Sequence, residues 1–336
     1  MNLQQRIGAL GHWGGIISEK IPEMEPVIVR TYHNNKWFTP ANIEQSLKAI
    51  VQNFLQEKAL QQWLSAYELH DTPPKTIGIV MAGNIPLVGF HDLLCVLGSG
   101  HKAQVKLSSK DPYLLPYLTG LLTEAYPWFK DQVAFSERLS GFDAIIATGG
   151  NNTSRYFEEY FGKYPHIIRR NRNSIAILSG KEKPDELMLL GIDIFRYFGL
   201  GCRNVSKLYL PKGYEIPKLL DQLEVYRDII EHDKYRNNYD YNRTLLLLNN
   251  VPHLASDFLM VREAATTRSP IACLHYEFYD DLVQLTASLA AQADEIQCLV
   301  SHLPIEGAIP FGQSQQPQLW DYADKVDTMQ FLGSIN

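Results

Sequence analysis

The feature that most constrains this 336-residue chain is an alternation of short β-branched runs, polar or glycine turns, and helical stretches. Residues 76–81 read T-I-G-I-V-M and stop at Ala82-Gly83-Asn84-Ile85-Pro86; a helix is predicted over 87–97. Residues 103–107 (A-Q-V-K-L) form the next run, followed by Ser108-Ser109-Lys110-Asp111-Pro112 and a predicted helix over 114–125. A third strand, 144–147, closes on Thr148-Gly149-Gly150-Asn151-Asn152-Thr153 before a helix over 154–160. Parallel neighbours need a crossover, and a helix is the crossover that covers a sheet face. The pattern therefore predicts a parallel, doubly wound α/β sheet. Ligands of such sheets sit beyond the carboxyl ends of the strands, here Asn84, Ser108-Ser109 and Gly149-Gly150.

The alternation continues with strands predicted over 174–178, 205–210, 244–248, 270–276 and 296–301, and helices over 186–198 and 281–293. Residues 215–243, dense in tyrosine and charge, read as helical in part, and 306–313 as a Gly/Pro loop. The tyrosines of 226–241 read either as the wall of a channel or as a surface or subunit interface, with Asp228, Glu231, Asp233 and Lys234 on a wet helix face. Upstream, residues 1–40 read as irregular, 41–67 as one helix capped by Asn42, and Asp71-Thr72-Pro73-Pro74 as a break. With 45% hydrophobic residues, a chain of this length can fill two cores.

Charge excludes one class of partner. With 31 basic residues against 37 acidic, a net of −6, there is no electrostatic reason to bind nucleic acid. No uninterrupted apolar stretch reaches membrane-spanning length, and residues 1–15 lack the pattern of a secretory leader. A cytoplasmic protein with four free thiols is the expectation: Cys95, Cys202, Cys273 and Cys298 form no C-x-x-C pair, so no clustered metal site is expected.

Cys202 sits in G-L-G-C-R-N between a helix and a strand. Flanking glycines permit close backbone approach, and Arg203 and Lys207 would favour the reactive thiolate. Taken alone it reads as a nucleophile or as an inert buried cysteine, the reading kept for the other three. Asn84 reads as an oxyanion donor or as an ordinary turn residue before Ile-Pro. Lys106, Ser109 and Lys110 at one strand end suit a ribose or phosphate, or simply solvent. Thr148-Gly149-Gly150 before a helix suits a pyrophosphate.

In order, these fragments resemble the aldehyde dehydrogenase superfamily. The N-x-P-L segment appears as Asn84-Ile85-Pro86-Leu87, K-P-S-E-x-T-P as residues 106–112, and the T-G-S turn as Thr148-Gly149-Gly150. E-L-G-G-K-S-P appears as residues 169–175, G-Q-x-C as Gly199-Leu200-Gly201-Cys202, and P-F-G as Pro310-Phe311-Gly312. Within the superfamily, A-G-N-I-P-L, G-L-G-C-R-N-V-S-K and the tail from Pro310 to Met329 look like the LuxC-type acyl-CoA reductases of bacterial luminescence systems.

The resemblance implies a Rossmann-like cofactor domain over 1–178, with 312–336 packing back onto it, and a smaller catalytic α/β domain over 179–311, the active site lying in the cleft between. It implies Cys202 as nucleophile, Asn84 as oxyanion donor, and Lys106, Ser109, Thr148, Gly149 and Gly150 as cofactor-binding residues, with no metal. The activity implied is reduction of a long-chain acyl-CoA, or another activated acyl thioester, to the aldehyde, with CoA as leaving group. The alternatives are an NADP-dependent aldehyde dehydrogenase and a non-catalytic acyl-binding subunit. Implied partners are an acyl carrier, an acyltransferase or ligase, and a second copy of the chain, although typical relatives are longer and their oligomer contacts do not carry over.

Departures from the pattern refine this. Arg169 stands where hydrolytic relatives place a general-base Glu, so water should attack an acyl-enzyme slowly. Ser109 stands where NAD-specific relatives place a Glu; losing that charge beside Lys106 and Lys110 makes room for a 2′-phosphate and implies NADPH. Gly150 replaces a frequent Ser, and the nearest match to E-x-F-G-P is Arg268-Ser269-Pro270.

Overall fold

The three strands predicted first lie side by side in the computed structural model, which describes residues 1–69 and 73–335 and, at Asn151 and Asn152, the backbone alone. The predicted break at Asp71-Thr72 falls outside the described residues. The chain forms two units: Met1–Asn171 with Pro317–Asn336, and Arg172–Gln316.

The first unit runs α1 (Leu3–Lys20), α2 (Glu25–Asn34), α3 (Pro40–Asn53), α4 (Glu57–Leu64), β1 (Thr76–Val80), α5 (Phe90–Ser99), β2 (Lys102–Lys106), α6 (Leu114–Ala125), β3 (Val133–Phe135), β4 (Ala144–Thr148), α7 (Asn151–Phe161) and β5 (His166–Arg169). Its sheet is parallel throughout, in the order β3-β2-β1-β4-β5. Side chains of β4 divide by the period of two that a covered strand requires. Ala144 and Ile146 join the large core with α1, α3, α5 and α6, while Ile145 and Ala147 face Phe157 and Phe161 of α7. Edge strands β3 and β5 escaped the sequence reading because three or four residues carry no measurable periodicity.

The expectation of an irregular start is corrected: residues 3–20 and 25–34 are helical. Asn2 caps α1 in a reciprocal box with Gln5, and Ile7, Leu10, Trp13 and Ile17 line its buried face. The glycines that argued against a helix serve packing. A Cβ at Gly14 would lie 2.7 Å from Leu55 Cβ, and one at Gly11 2.9 Å from Glu57 Cβ. Tertiary contact overrides propensity here. The helix predicted over 41–67 is two, α3 and α4, broken at residues 54–56, and its cap is Thr39 followed by Pro40 rather than Asn42.

The second unit runs β6 (Asn173–Ile177), α8 (Pro184–Phe195), β7 (Val205–Pro211), α9 (Ile216–Leu223), α10 (Asp233–Leu248), β8 (Leu254–Ala255), β9 (Met260–Glu263), β10 (Cys273–Tyr279), α11 (Leu282–Ala290) and β11 (Ile296–Val300). Its sheet order is β11-β6-β7-β10-β9-β8, parallel except for the β8–β9 pair. The boundary therefore falls before β6, not at residue 178: that strand pairs with β7 and β11. Residues 244–248 are not a strand but the last turns of α10. Apolar runs this short do not distinguish strand from helix, and Leu245, Leu247 and Leu248 stay exposed. Tyr235 and Tyr239 point inward, donating to the carbonyls of Phe258 (3.1 Å) and Ser256 (2.5 Å), which bolts α10 down; Tyr241 is exposed.

After β11 the chain returns to the first unit and ends in α12 (Thr328–Gly333). Tyr322 receives Trp63 Nε1 at 2.7 Å, Tyr67 donates to Asp327 at 2.9 Å, and His91 Nε2 contacts the Leu319 carbonyl at 2.8 Å.

Candidate active site

In the first unit, strand order decides where a ligand fits. From β1 the chain moves outward through β2 to β3, then returns to β4 on the other side of β1. The switch point lies between β1 and β4, whose carboxyl ends lead into Asn84 and Thr148-Gly149-Gly150. Asn84 is half-buried in the turn before α5. A Cβ at Gly149 would come 2.8 Å from the Phe157 ring and 3.1 Å from Thr153, so glycine lets α7 pack against its strand. At Gly150, the residue before α7, a Cβ would meet Asn171 Nδ2 at 3.5 Å, an ordinary van der Waals contact, as its nearest neighbour among the described residues. Among the described residues no side chain caps α7, and its first turn holds no Asp or Glu, so its terminal N–H groups suit an anion. These features fit the pyrophosphate of a dinucleotide. Lys106, the last residue of β2, and Ser109 beyond it are exposed; Lys106 Nζ lies 2.5 Å from the Glu137 carbonyl, and Asn34 Nδ2 donates to the Ser109 carbonyl at 2.9 Å. Among the described residues no group of three or more His, Cys, Asp or Glu side chains is placed to hold a metal.

Behind this turn sits Asp111, which sequence reasoning treated only as loop. It is buried; Oδ2 accepts the Leu87 N–H at 2.8 Å, and Oδ1 has no hydrogen-bond partner among the described residues. Burial pushes its carboxyl up to about 6, against the pull of the Leu87 and Leu114 N–H groups. A carboxyl whose pKa is raised on folding binds its proton more tightly folded than unfolded. Its stabilisation is complete below the unfolded value of 3.8 and is lost as pH rises through about 6. Asp111→Asn removes this dependence. Relative to the parent, the variant should gain about 2 kcal/mol between about pH 4.5 and about pH 7. Paired melts at the two pH values check this; an unchanged difference rejects the raised pKa.

In the second unit the sequence-predicted nucleophile lies in a turn built by buried polar side chains. After α8 the backbone enters the left-handed region at Tyr197 (φ 52°), Phe198 (φ 59°) and Gly199 (φ 73°), which ends the helix abruptly. Asn204 then bridges the turn. Its Oδ1 accepts the Gly201 N–H at 2.8 Å, and its Nδ2 donates to the carbonyls of Asp193 (3.0 Å) and Arg196 (2.8 Å) at the end of α8. Ser174 Oγ donates to the Cys202 carbonyl at 3.0 Å and accepts the Cys298 N–H at 3.1 Å. Asp193, wholly buried, accepts the N–H groups of Gly312 (2.6 Å) and Ser314 (3.0 Å), tying the P-F-G segment to α8. Cys202 is half-buried, while Cys95, Cys273 and Cys298 are buried.

One electrostatic expectation is corrected. Lys207 is wholly buried; its ammonium pairs with Glu277 and donates to the Ala265 carbonyl at 2.6 Å, so its charge is already neutralised. Arg203 Nη1 lies 3.3 Å from Cys298 Sγ. Ser206 Oγ donates to the Thr267 carbonyl at 2.7 Å, so β7 also holds the segment around Arg268-Ser269-Pro270. In the first unit Arg169 is buried, its Nη2 lying 2.8 Å from Asp92 Oδ1 and donating to Thr328 Oγ1 at 2.8 Å. Of the residues missed from sequence, Asp111, Ser174 and Asp193 act through backbone groups distant along the chain, and Asn204 through groups three to eleven residues away. Only Asn204, two positions after the cysteine, left a local signal.

No protein-family model matches the chain. Two curated proteins are similar to it: the long-chain acyl-protein thioester reductase of Aliivibrio fischeri, 23% identical over 184 residues, and long-chain acyl-protein thioester reductase 2 of Photobacterium leiognathi, 24% identical over 222 residues. The matches span 49% and 59% of this chain but 38% and 45% of those proteins, less than half of either. Among solved structures, a variant of aldehyde dehydrogenase C from Pseudomonas syringae with NAD+ and octanal superposes with a TM-score of 0.67 at 12% identity, covering 91% of this chain and 78% of that one. The NAD+ complex of a Bacillus cereus aldehyde dehydrogenase gives 0.65 at 13% identity, covering 90% and 73%. The chain has the aldehyde dehydrogenase-like α/β fold, and its sequence resembles the long-chain acyl-protein thioester reductases.

Proposed function

We propose that this chain, with its aldehyde dehydrogenase-like fold, reduces a long-chain acyl thioester to the aldehyde through an acyl-enzyme on Cys202. The observation that carries the reading is the Cys202 turn: a half-buried cysteine whose backbone is braced by Asn204 and Ser174, in a chain whose other three cysteines are buried. The names of the two similar proteins support an acyl thioester as substrate. Their wording, acyl-protein, makes a protein-bound thioester as suitable a donor as acyl-CoA, which fits an acyltransferase or ligase partner.

In this reading the Cys202 thiolate attacks the acyl carbonyl, and the bond from that carbon to the carrier sulfur breaks. The carrier leaves and takes a proton as its thiol. The Asn84 amide and the Cys202 N–H donate to the oxygen while it carries charge, each such donor contributing about 3 kcal/mol of barrier. When bound, a reduced nicotinamide cofactor would supply a hydride to the acyl carbon; the bond from that carbon to the Cys202 sulfur would then break, returning the thiolate and freeing the aldehyde. Thr148, Gly149 and Gly150 would hold its pyrophosphate, and Lys106 and Ser109 its adenosine ribose. Arg169, paired with Asp92, offers no base for water at the position where hydrolytic relatives keep one. That favours aldehyde release over acid.

Mass spectrometry after incubation with acyl-CoAs from butanoyl to palmitoyl, without reductant, tests the reading. A single acyl adduct on Cys202 is expected, and an unmodified protein across the whole panel would sink it. For the cofactor, an exposed Ser109 between Lys106 and Lys110 favours NADPH. Ser109→Glu should move the ratio of kcat/KM values toward NADH by about tenfold or more, the size of one charged hydrogen bond. Identical ratios in parent and variant would reject that assignment.

A further inference from the structure

The turn that carries Asn84 is pinned at one peptide group, two residues further on. The carbonyl of Pro86 accepts from Ser46 Oγ of α3 at 2.9 Å, and the N–H of Leu87 donates to Asp111 Oδ2 at 2.8 Å. These are the acceptor and the donor of the same peptide plane, each satisfied by a buried side chain from a different part of the fold. Leu87 stands in the left-handed region, with φ 58°, and its side chain is buried. A leucine does not hold that conformation by preference. Rotating the Pro86–Leu87 peptide would return Leu87 to negative φ, but would break both hydrogen bonds in a buried setting. Beneath the turn lies a small cavity walled by Met81, Leu87, Phe90, Leu107 and Leu115, and among the described residues that line it Asp111 alone is ionisable. The carboxylate thus keeps one oxygen on the turn while the other, Oδ1, lacks a hydrogen-bond partner among the described residues. A buried acceptor held at that cost indicates a positional demand.

We infer that Ser46 and Asp111 are positioning residues that clamp the Pro86–Leu87 peptide and thereby aim the Asn84 amide at the acyl oxygen. The inference rests on the proposed reductase reading, through the role of Asn84. The clamp touches no substrate; it acts by fixing where a donor two residues away points. A misplacement of a reacting group by about 1 Å costs on the order of a hundredfold in rate, so the clamp should show in kcat and hardly in KM.

The test compares Ser46→Ala, Asp111→Leu, Asp111→Asn, Asn84→Ala and the Asn84→Ala/Asp111→Leu pair in the full chain, with palmitoyl-CoA and NADPH as probes and a thermal melt to verify folding. Asp111→Leu should lower kcat by about ten- to a hundredfold with KM within about threefold. Asp111→Asn, which still accepts the Leu87 N–H, should restore most of it. The double variant should be no slower than Asn84→Ala alone, because Asp111 acts through Asn84. Ser46→Ala, the least disruptive change, should lose about tenfold in kcat and serves if Asp111→Leu does not fold. Parental kcat in Ser46→Ala and Asp111→Leu, or a further full loss from Asp111→Leu in the Asn84→Ala background, overturns the inference alone. A parent chain that neither acylates Cys202 nor turns over overturns the reductase reading and the inference with it.

Discussion

Cys202→Ala should reduce aldehyde formation by more than about 10⁴-fold, the scale seen when a covalent nucleophile is removed, with cofactor binding unchanged. The size of the effect follows from the absence of a substitute thiol. Cys95 is wholly buried in α5, and burial pushes its thiol well above the ordinary range. Burial likewise pushes the Cys273 thiol up to about 11. A thiol with that pKa is a thiolate in only about one molecule in 10⁴ at neutral pH, and the thiolate is the nucleophile. Cys298 is buried on β11, with its N–H held by Ser174. Turnover assays and mass spectrometry of the acylated variant measure the outcome. An acyl adduct on Cys273 or Cys298, or turnover near the parental rate, would show that the thiol chemistry lies elsewhere.

Arg169→Leu should destabilise the first unit by about 3–5 kcal/mol, because it leaves the Asp92 carboxylate buried without its cation. Both side chains are about 6% exposed, so water cannot take the place of the lost partner. Arg169 also donates to Thr328 Oγ1, and so joins the end of β5 to α12 and α5 at one point. The loss should appear as a fall of about 10 °C in melting temperature. Replacing both partners, as in Arg169→Met/Asp92→Leu, should recover most of it, since a buried pair is worth little against a well-packed apolar pair. A single variant melting within about 2 °C of the parent would mean that the pair is solvated in solution.

The readable parts of this chain were those whose signal is local. β1, β2, β4 and α6 fall within one residue of their expected bounds, and α6 matches at both ends. Each is a run of alternating or helical period between clear turn residues. Cys202, Asn84 and the Thr148-Gly149-Gly150 turn stood out because each follows or precedes such an element. The failures share a cause as well. α1 looked unstructured because its glycines lower propensity, and the value of Gly11 and Gly14 appears only once Leu55 and Glu57 are packed against them. The T-L-L-L-L run ends α10 because Tyr235 and Tyr239, nine and five residues before Thr244, anchor that helix on Phe258 and Ser256. Lys207 seemed free to assist Cys202 until Glu277 of the neighbouring strand claimed its charge.

Residue order alone determined the class of sheet and singled out the strand ends and the one cysteine proposed to carry the chemistry, because hydrophobic period and glycine placement act over a few bonds. Only the folded chain decided how those ends are held. Ser46 and Asp111 clamp one peptide, Asn204 and Ser174 brace the cysteine turn, and Asp92 receives Arg169. Buried polar groups must find partners wherever the fold brings them, and the intervening stretches, a separation of 77 positions from Asp92 to Arg169 for one, carry no trace of that pairing in a one-dimensional pattern.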